Sequence, residues 1–251
     1  MKKKSIFKKI FVTMLCVMTL FSVVDTTYAA EIRKQNMSED EFLLSTGMSK
    51  EAIENMDSDF KEYIVNSLKQ NTVGESVEYI ETEIVSTVQS RSTEVLTGIT
   101  FTAQAWQSGG VIHIYPTYEF TTAKRPRGKD GFAFAFGDAI DSYEYGGQMW
   151  QKDINGTNWI TAGSMTANHQ GLIGAGYSGS QLGNASSNVY AKGCAYAKAK
   201  AGSGTSKKIV MQYMHNPNKY SFSIGLSYIA SFGFNSQSTV YTAASTQYLT
   251  Y

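Results

Sequence analysis

The sequence predicts a mainly β protein, an antiparallel β-sandwich or a partly open barrel, preceded by a small acidic helical segment. Three observations carry this. Apolar residues alternate with small or polar ones through most of residues 91–251. Helical spacing with helix-start signals is confined to the stretch before residue 70. No helix pattern separates the alternating runs, so a parallel sheet with crossover helices is excluded. Composition agrees: charged residues are 17% of the 251, with 22 Gly and 16 Tyr, the profile of many short strands and turns.

The chain opens with an export pattern. Lys2, Lys3, Lys4, Lys8 and Lys9 form a basic stretch, and residues 10–24 are an apolar run too short for a stable membrane anchor. Thr27-Tyr28-Ala29 offers the small residues that a signal peptidase requires. Residues 1–29 are therefore expected to be a bacterial-type signal peptide, and the mature protein to be secreted and extracellular. Of the two cysteines, Cys16 leaves with the leader, so Cys194 has no disulfide partner in its own chain. Its place in an alternating run of small residues suits a packed thiol.

Residues 30–90 form the acidic segment and linker. Ser38 and Glu41 have the spacing of a capping box ahead of Phe42, Leu43 and Leu44, and Gly47 is placed to end that helix. Ser49 starts a second short helix burying Ile53 and Met56. Asp57 or Ser58 caps a third, in which Phe60, Tyr63, Ile64 and Leu68 recur at helical spacing. The stretch 72–93 mixes helical spacing with β-branched residues and stays unassigned. The domain boundary is expected near Ser90-Arg91-Ser92.

In residues 91–251, Val95, Thr97, Ile99, Phe101 and Ala103 share one strand face. Residues 111–120 make a second strand, which Pro116 pushes toward an edge or a bulge. Phe132, Phe134 and Phe136 alternate with alanines. Asn155-Gly156 predicts a two-residue type I′ hairpin with Trp150 opposite Thr161 and Lys152 opposite Trp159, a cation–π pair. Residues 189–200 alternate again. The clearest pattern is Tyr220, Phe222, Ile224, Leu226, Tyr228, Ala230, Phe232 and Phe234 on even positions, with mainly Ser and Gly between. A run of that length needs a bend at Gly225 or Gly233, or two strands. About nine strands are expected in all.

Charge divides the chain. Residues 31–90 carry 13 acidic and 5 basic side chains, and residues 91–251 carry 7 acidic and 12 basic. An acidic pro-segment neutralising a cationic effector has this signature. Lys124, Arg125, Arg127 and Lys129 concentrate the basic charge in one loop, suited to docking on an anionic membrane surface or a cell-wall polymer. The alternation in residues 220–235 has the form of a membrane-inserting strand, and equally of a strand with one face in a core.

Other motifs give less. Gly174, Gly176 and Gly179 match a dinucleotide-binding turn, but no helix pattern follows, so no nucleotide cofactor is expected. Nor is nucleic acid the expected partner. His113, His169 and His215 lack metal-ligand spacing. Asp138, Asp141 and Glu144 cluster as acids that could cleave glycosides or hold calcium, or simply be solvated loop acids. Trp106, Trp150 and Trp159 are candidates for stacking on sugar rings, or for the core. The expected function is a secreted, non-enzymatic, envelope- or membrane-active protein, toxin-like or bacteriocin-like. The alternative is a carbohydrate- or wall-binding module. The sequence leaves the oligomeric state open.

Overall fold

The computed structural model describes residues 34–86, 94–124, 129–179, 188–216, 222–226, 230–234 and 241–250. The leader assigned to residues 1–29 lies outside them. The chain divides into two compact units, residues 1–76 and 77–251.

The first unit holds α1 (Glu39–Ser45), α2 (Lys50–Glu54) and α3 (Ser58–Asn71). Each start is fixed by a polar side chain. Ser38 Oγ accepts from Glu41 N, and the Glu41 carboxylate accepts from Ser38 N at 3.0 Å, completing the capping box. Those hydrogen bonds hold the Glu41 carboxyl below its usual pKa. Ser49 caps α2, and Asp57 Oδ1 caps α3 by accepting from Asp59 N and Phe60 N. Gly47, at φ +92°, follows the end of α1. Phe42, Leu43, Ile53, Phe60, Ile64, Val65 and Leu68 are buried; Met56 and Tyr63 are half-buried. Lys34 Nζ donates to Thr72 O at 2.9 Å and to Glu75 O at 3.1 Å, fastening the end of α3 to the residues before α1.

The second unit is almost entirely antiparallel β, curled into a half-barrel. Its strands are β1 (Glu78–Ser86), β2 (Glu94–Val95), β3 (Ile99–Ser108), β4 (Val111–Phe120), β5 (Lys129–Phe136), β6 (Ile140–Asp153), β7 (Ile160–Ser164), β8 (His169–Gly171), β9 (Gly174–Gly179), β10 (Val189–Ala201), β11 (Lys208–Asn216), β12 (Phe222–Leu226), β13 (Ala230–Phe234) and β14 (Tyr241–Thr250). The main sheet runs β7-β6-β10-β4-β3-β1-β14-β11-β5-β9-β8, with β2 parallel to β14. Strands β12 and β13 form a second, two-stranded sheet.

The sheet turns its corner at β1. Residues 78–80 pair with β3, and residues 81–86 pair with β14. Gln247 fills the gap this leaves: its Oε1 accepts from Ala103 N at 2.8 Å and its Nε2 donates to Phe101 O. A strand that changes partners along its length lets one sheet fold into two facing layers. The far ends then approach each other. Ser142 N of β6 donates to Leu172 O at 2.8 Å, and the Tyr177 hydroxyl of β9 donates to Gly146 O at 3.0 Å. Between the layers lie Phe101, Tyr118 and Phe120 against Phe132, Phe134, Tyr177 and Tyr213. Ring centroids stand 4.8 Å apart for Tyr118–Tyr213 and 4.9 Å for Tyr118–Phe132.

Several expectations change. The division between units falls at Ser76/Val77, upstream of the expected Ser90–Ser92 boundary, because the β-branched stretch 78–86 is the corner strand. Thirteen of the fourteen strands among the described residues lie in residues 91–251, where about nine were expected, since long alternating runs break at turns. The run from Val95 to Ala103 is one such case, split between β2 and β3. Pro116 does not mark an edge: β4 lies inside the sheet between β3 and β10. The β10 ladder accommodates it. Pairing is recorded at Cys194↔Thr117 and Ala197↔Ile114 but not at the positions between, where Pro116 has no N–H to give. Asn155-Gly156 is not a two-residue turn. Gly156 N donates to Asp153 O at 2.9 Å, and residues 154–159 form a longer loop. The flanking register is nonetheless the expected one, with Trp150 opposite Thr161.

Candidate functional site

Sheet topology gathers one set of strand ends together. The C-terminal end of β6 pairs with the start of β10 (Asp153↔Val189), and Lys124 forms a bridge to Val189 with both backbone hydrogen bonds at 2.8 Å. On the other layer, Asn216 at the end of β11 pairs with Lys129 at the start of β5. The basic loop between Lys124 and Lys129 and the chain leaving β11 toward β12 are therefore rooted at the same end.

At this end β6, β10 and the β6–β7 loop build a cation–aromatic cluster. Lys152 is the register partner of Tyr190, which fixes their contact. Lys152 Nζ stands 4.9 Å from the Trp159 ring centroid and 5.1 Å from that of Tyr190. Lys192 Nζ, on a fully buried side chain opposite Glu119, is 4.3 Å from the Trp159 ring. Trp159 is half-buried; Ile154 at the start of the loop and Ile160 at the start of β7 are 45% and 57% exposed. The Lys152–Trp159 contact is the pair that the sequence register predicts; Lys192 and Tyr190, brought in by β10, are long-range partners it does not reveal.

The hairpin of β12 and β13 is the second feature. Its ladder matches Phe222 with Phe234, Ile224 with Phe232 and Leu226 with Ala230, and between them Ser223 with Gly233 and Gly225 with Ser231. Apolar thus pairs with apolar and small with small. Of the two geometries expected for residues 220–235, the two-strand one forms. Tyr220 and Tyr228 lie outside the described residues. The hairpin lies against β5, β8, β9 and β11 without joining their ladders. Beneath it β5 is buried on both faces: Phe132, Phe134 and Phe136 enter the central core, while Ala133 and Ala135 are also fully buried on the face turned away from it.

The remaining sequence candidates are scattered. Arg125 and Arg127 lie outside the described residues, and Lys124 is half-buried. Trp106 is fully buried, edge-on to Tyr79 and Tyr115, and Trp150 is 5% exposed, so a three-tryptophan glycan platform does not exist. Their alternation along strands is as compatible with core as with surface, and the structure uses it for core.

Asp138, Asp141 and Glu144 belong to the opposite end of the sheet and are not one site. Asp138 Oδ1 accepts from Ser206 N at 2.7 Å, and Glu144 pairs with Lys198 at 2.9 Å. No group of three metal-ligating side chains occurs among the described residues, so the calcium arrangement is not formed there. His113 contacts Tyr196, His215 contacts Asp130, and His169 is exposed. Cys194 is fully buried. Gly174, Gly176 and Gly179 belong to strand β9.

No family model matches the chain, and no curated protein matches it. Solved structures match weakly. The KRT10-binding region domain of the pneumococcal serine rich repeat protein PsrP is 11% identical, with 55% of this chain and 86% of that one covered at a TM-score of 0.26. Clostridium perfringens delta-toxin is 9% identical, with 71% and 95% covered at a TM-score of 0.32. AvmM, which catalyses macrocyclization in alchivemycin A biosynthesis, is 12% identical, with 62% and 94% covered at 0.27. At these scores neither fold nor function transfers to this chain.

Proposed function

We propose that this protein is a secreted, non-enzymatic, membrane-active effector, toxin-like or bacteriocin-like, whose β12–β13 hairpin enters the bilayer. In this reading the acidic N-terminal unit restrains the cationic β unit until it is removed. The observation that carries the reading is the hairpin ladder: apolar pairs alternate with small pairs, on two strands that belong to no other sheet. A membrane-crossing hairpin needs that alternation, one face for lipid and one for water. Five residues per arm are too short to cross, since about 9–11 are required. In the sequence the alternating run is longer than the two described strands, from Tyr220 to Asn235. Divided at Ser76/Val77, residues 31–76 carry 10 acidic and 5 basic side chains and residues 77–251 carry 10 acidic and 12 basic, a contrast of the sign that the restraint needs.

The wall-binding alternative keeps Trp159 and Tyr190 but loses Trp106 and Trp150 to the core. The deciding experiment is dye release from anionic vesicles by the secreted chain, before and after proteolytic removal of the first unit. Release confined to the cleaved form is expected. Ile224→Asp combined with Phe232→Asp should abolish release while leaving vesicle binding. Silence from both forms of the parent overturns the proposal.

A further inference from the structure

The face that meets the membrane is a separate question from the segment that enters it. Ile154 opens the β6–β7 loop and Ile160 starts β7, both of them exposed, and the ring of Trp159 at the end of the loop is held against Lys152. Tyr190 and Lys124 stand on the neighbouring strand end and its bridge. Tryptophan and tyrosine prefer the headgroup level of a bilayer, where an apolar body and a polar edge are both satisfied. Lysines are drawn to anionic lipid, each contributing roughly a fivefold gain in affinity near the surface. Exposed isoleucines gain by leaving water. The three preferences converge on one environment, which a neutral glycan does not offer: sugars would use the aromatic rings and leave the isoleucines wet.

We propose that this end of the sheet, built from Lys124, Lys152, Ile154, Trp159, Ile160 and Tyr190, is the docking surface for anionic phospholipid. The inference rests on the membrane-active reading and adds orientation to it. The chain leaves β11 toward β12 at Asn216, whose register partner Lys129 starts β5 at this same end. Docking here brings the hairpin root to the bilayer. The loop acts as an interfacial anchor and the hairpin as the inserting element, so binding and release are separable.

The test uses the full secreted chain, with and without protease treatment. Vesicles of phosphatidylglycerol and phosphatidylcholine are compared with phosphatidylcholine alone. Co-sedimentation reads binding and trapped dye reads release. Trp159→Ala and Lys152→Gln should each weaken binding to anionic vesicles, by about tenfold and fivefold, with release per bound molecule unchanged. Trp159→Phe should retain most of the binding. Brominated lipid should quench the parent's emission, and the quenching should disappear in Trp159→Phe, because Trp106 and Trp150 are buried. This second measurement needs no destabilised variant.

Unchanged binding in both variants, quenching that survives Trp159→Phe, or capture by purified anionic wall polymer with vesicles ignored would each overturn the inference. Vesicle binding that depends on Trp159 and Lys152 but never releases dye would uphold the docking surface and sink the membrane-active reading instead.

Discussion

Asp130 and His215 face each other across the β5–β11 ladder, with His215 Nδ1 2.7 Å from Asp130 Oδ1 and both side chains largely out of solvent. The next rung is Lys129↔Asn216, beyond which one chain becomes the basic loop and the other leads to the hairpin. The pair is thus a buried polar contact one rung from the roots of the basic loop and of the hairpin proposed to enter the membrane. Replacing Asp130 by Ala leaves His215 without its acceptor and should cost about 2 kcal/mol, read as a lower urea midpoint with an unchanged slope. If the pair also pins the hairpin root, dye release by Asp130→Ala should be faster than by the parent at equal binding.

Alkali should unfold the β unit cooperatively. Burial, with the Asp130 charge adding to it, pushes the phenols of Tyr118 and Tyr213 well above the ordinary tyrosine range. The folded state therefore keeps protons that the unfolded state releases near pH 10. Stability is fully present below about pH 10 and falls as pH rises beyond it, by up to about 1.4 kcal/mol per pH unit for each tyrosine. Denaturant titrations at stepped alkaline pH check this. Flat stability through pH 11 would show the phenols to be more accessible than the geometry implies.

Gly174 sets the start of β9 at φ +143°, and a Cβ there would stand 2.1 Å from Phe134 O, a backbone atom that cannot swing aside. Gly174→Ala should cost about 3 kcal/mol, beyond ordinary overpacking because φ is strained as well. Gly171, one turn earlier, has open space around its Cβ position; Gly171→Ala should change stability by less than about 0.5 kcal/mol. Thermal melts of the two variants side by side separate close approach from loss of glycine itself.

The parts of this fold that are legible in sequence are the local ones. Ser38, Ser49 and Asp57 cap their helices because capping depends on residues two or three apart. The Trp150–Thr161 and Lys152–Trp159 pairings follow from counting outward from Asn155 and Gly156, and that count survives although the turn itself is longer. What is not legible depends on distant strands. Residues 78–86 look ambiguous because they serve two partners, β3 and β14, and a strand at a corner has no single exposed face. Pro116 reads as an edge marker until β10 is known to leave the matching rungs unpaired. Trp106 and Trp150 alternate like any half-buried strand residue, and only the assembled sheet shows them buried. The Lys192 contact with Trp159 joins β10 to the β6–β7 loop, which no local pattern announces.

Cys194 offers a probe of how much of the sheet opens on a membrane. Its thiol is fully buried in β10, donating to Ala195 O at 3.6 Å, and the one other cysteine in the sequence is Cys16. Strand β10 pairs with β4 and β6 and has no ladder to the hairpin. If insertion extends β12 and β13 alone, Cys194 stays inside an intact sheet. A soluble thiol reagent should then label it slowly in free protein, equally slowly in vesicle-bound protein that has released dye, and rapidly in urea. Fast labelling on vesicles would mean that the main sheet opens too, and that hairpin extension is not a self-contained step. Cys194→Ser, which puts a hydroxyl where the thiol was packed, should lower stability by about 1–2 kcal/mol without altering release per bound molecule, since desolvating the hydroxyl penalises the folded sheet and leaves the hairpin untouched.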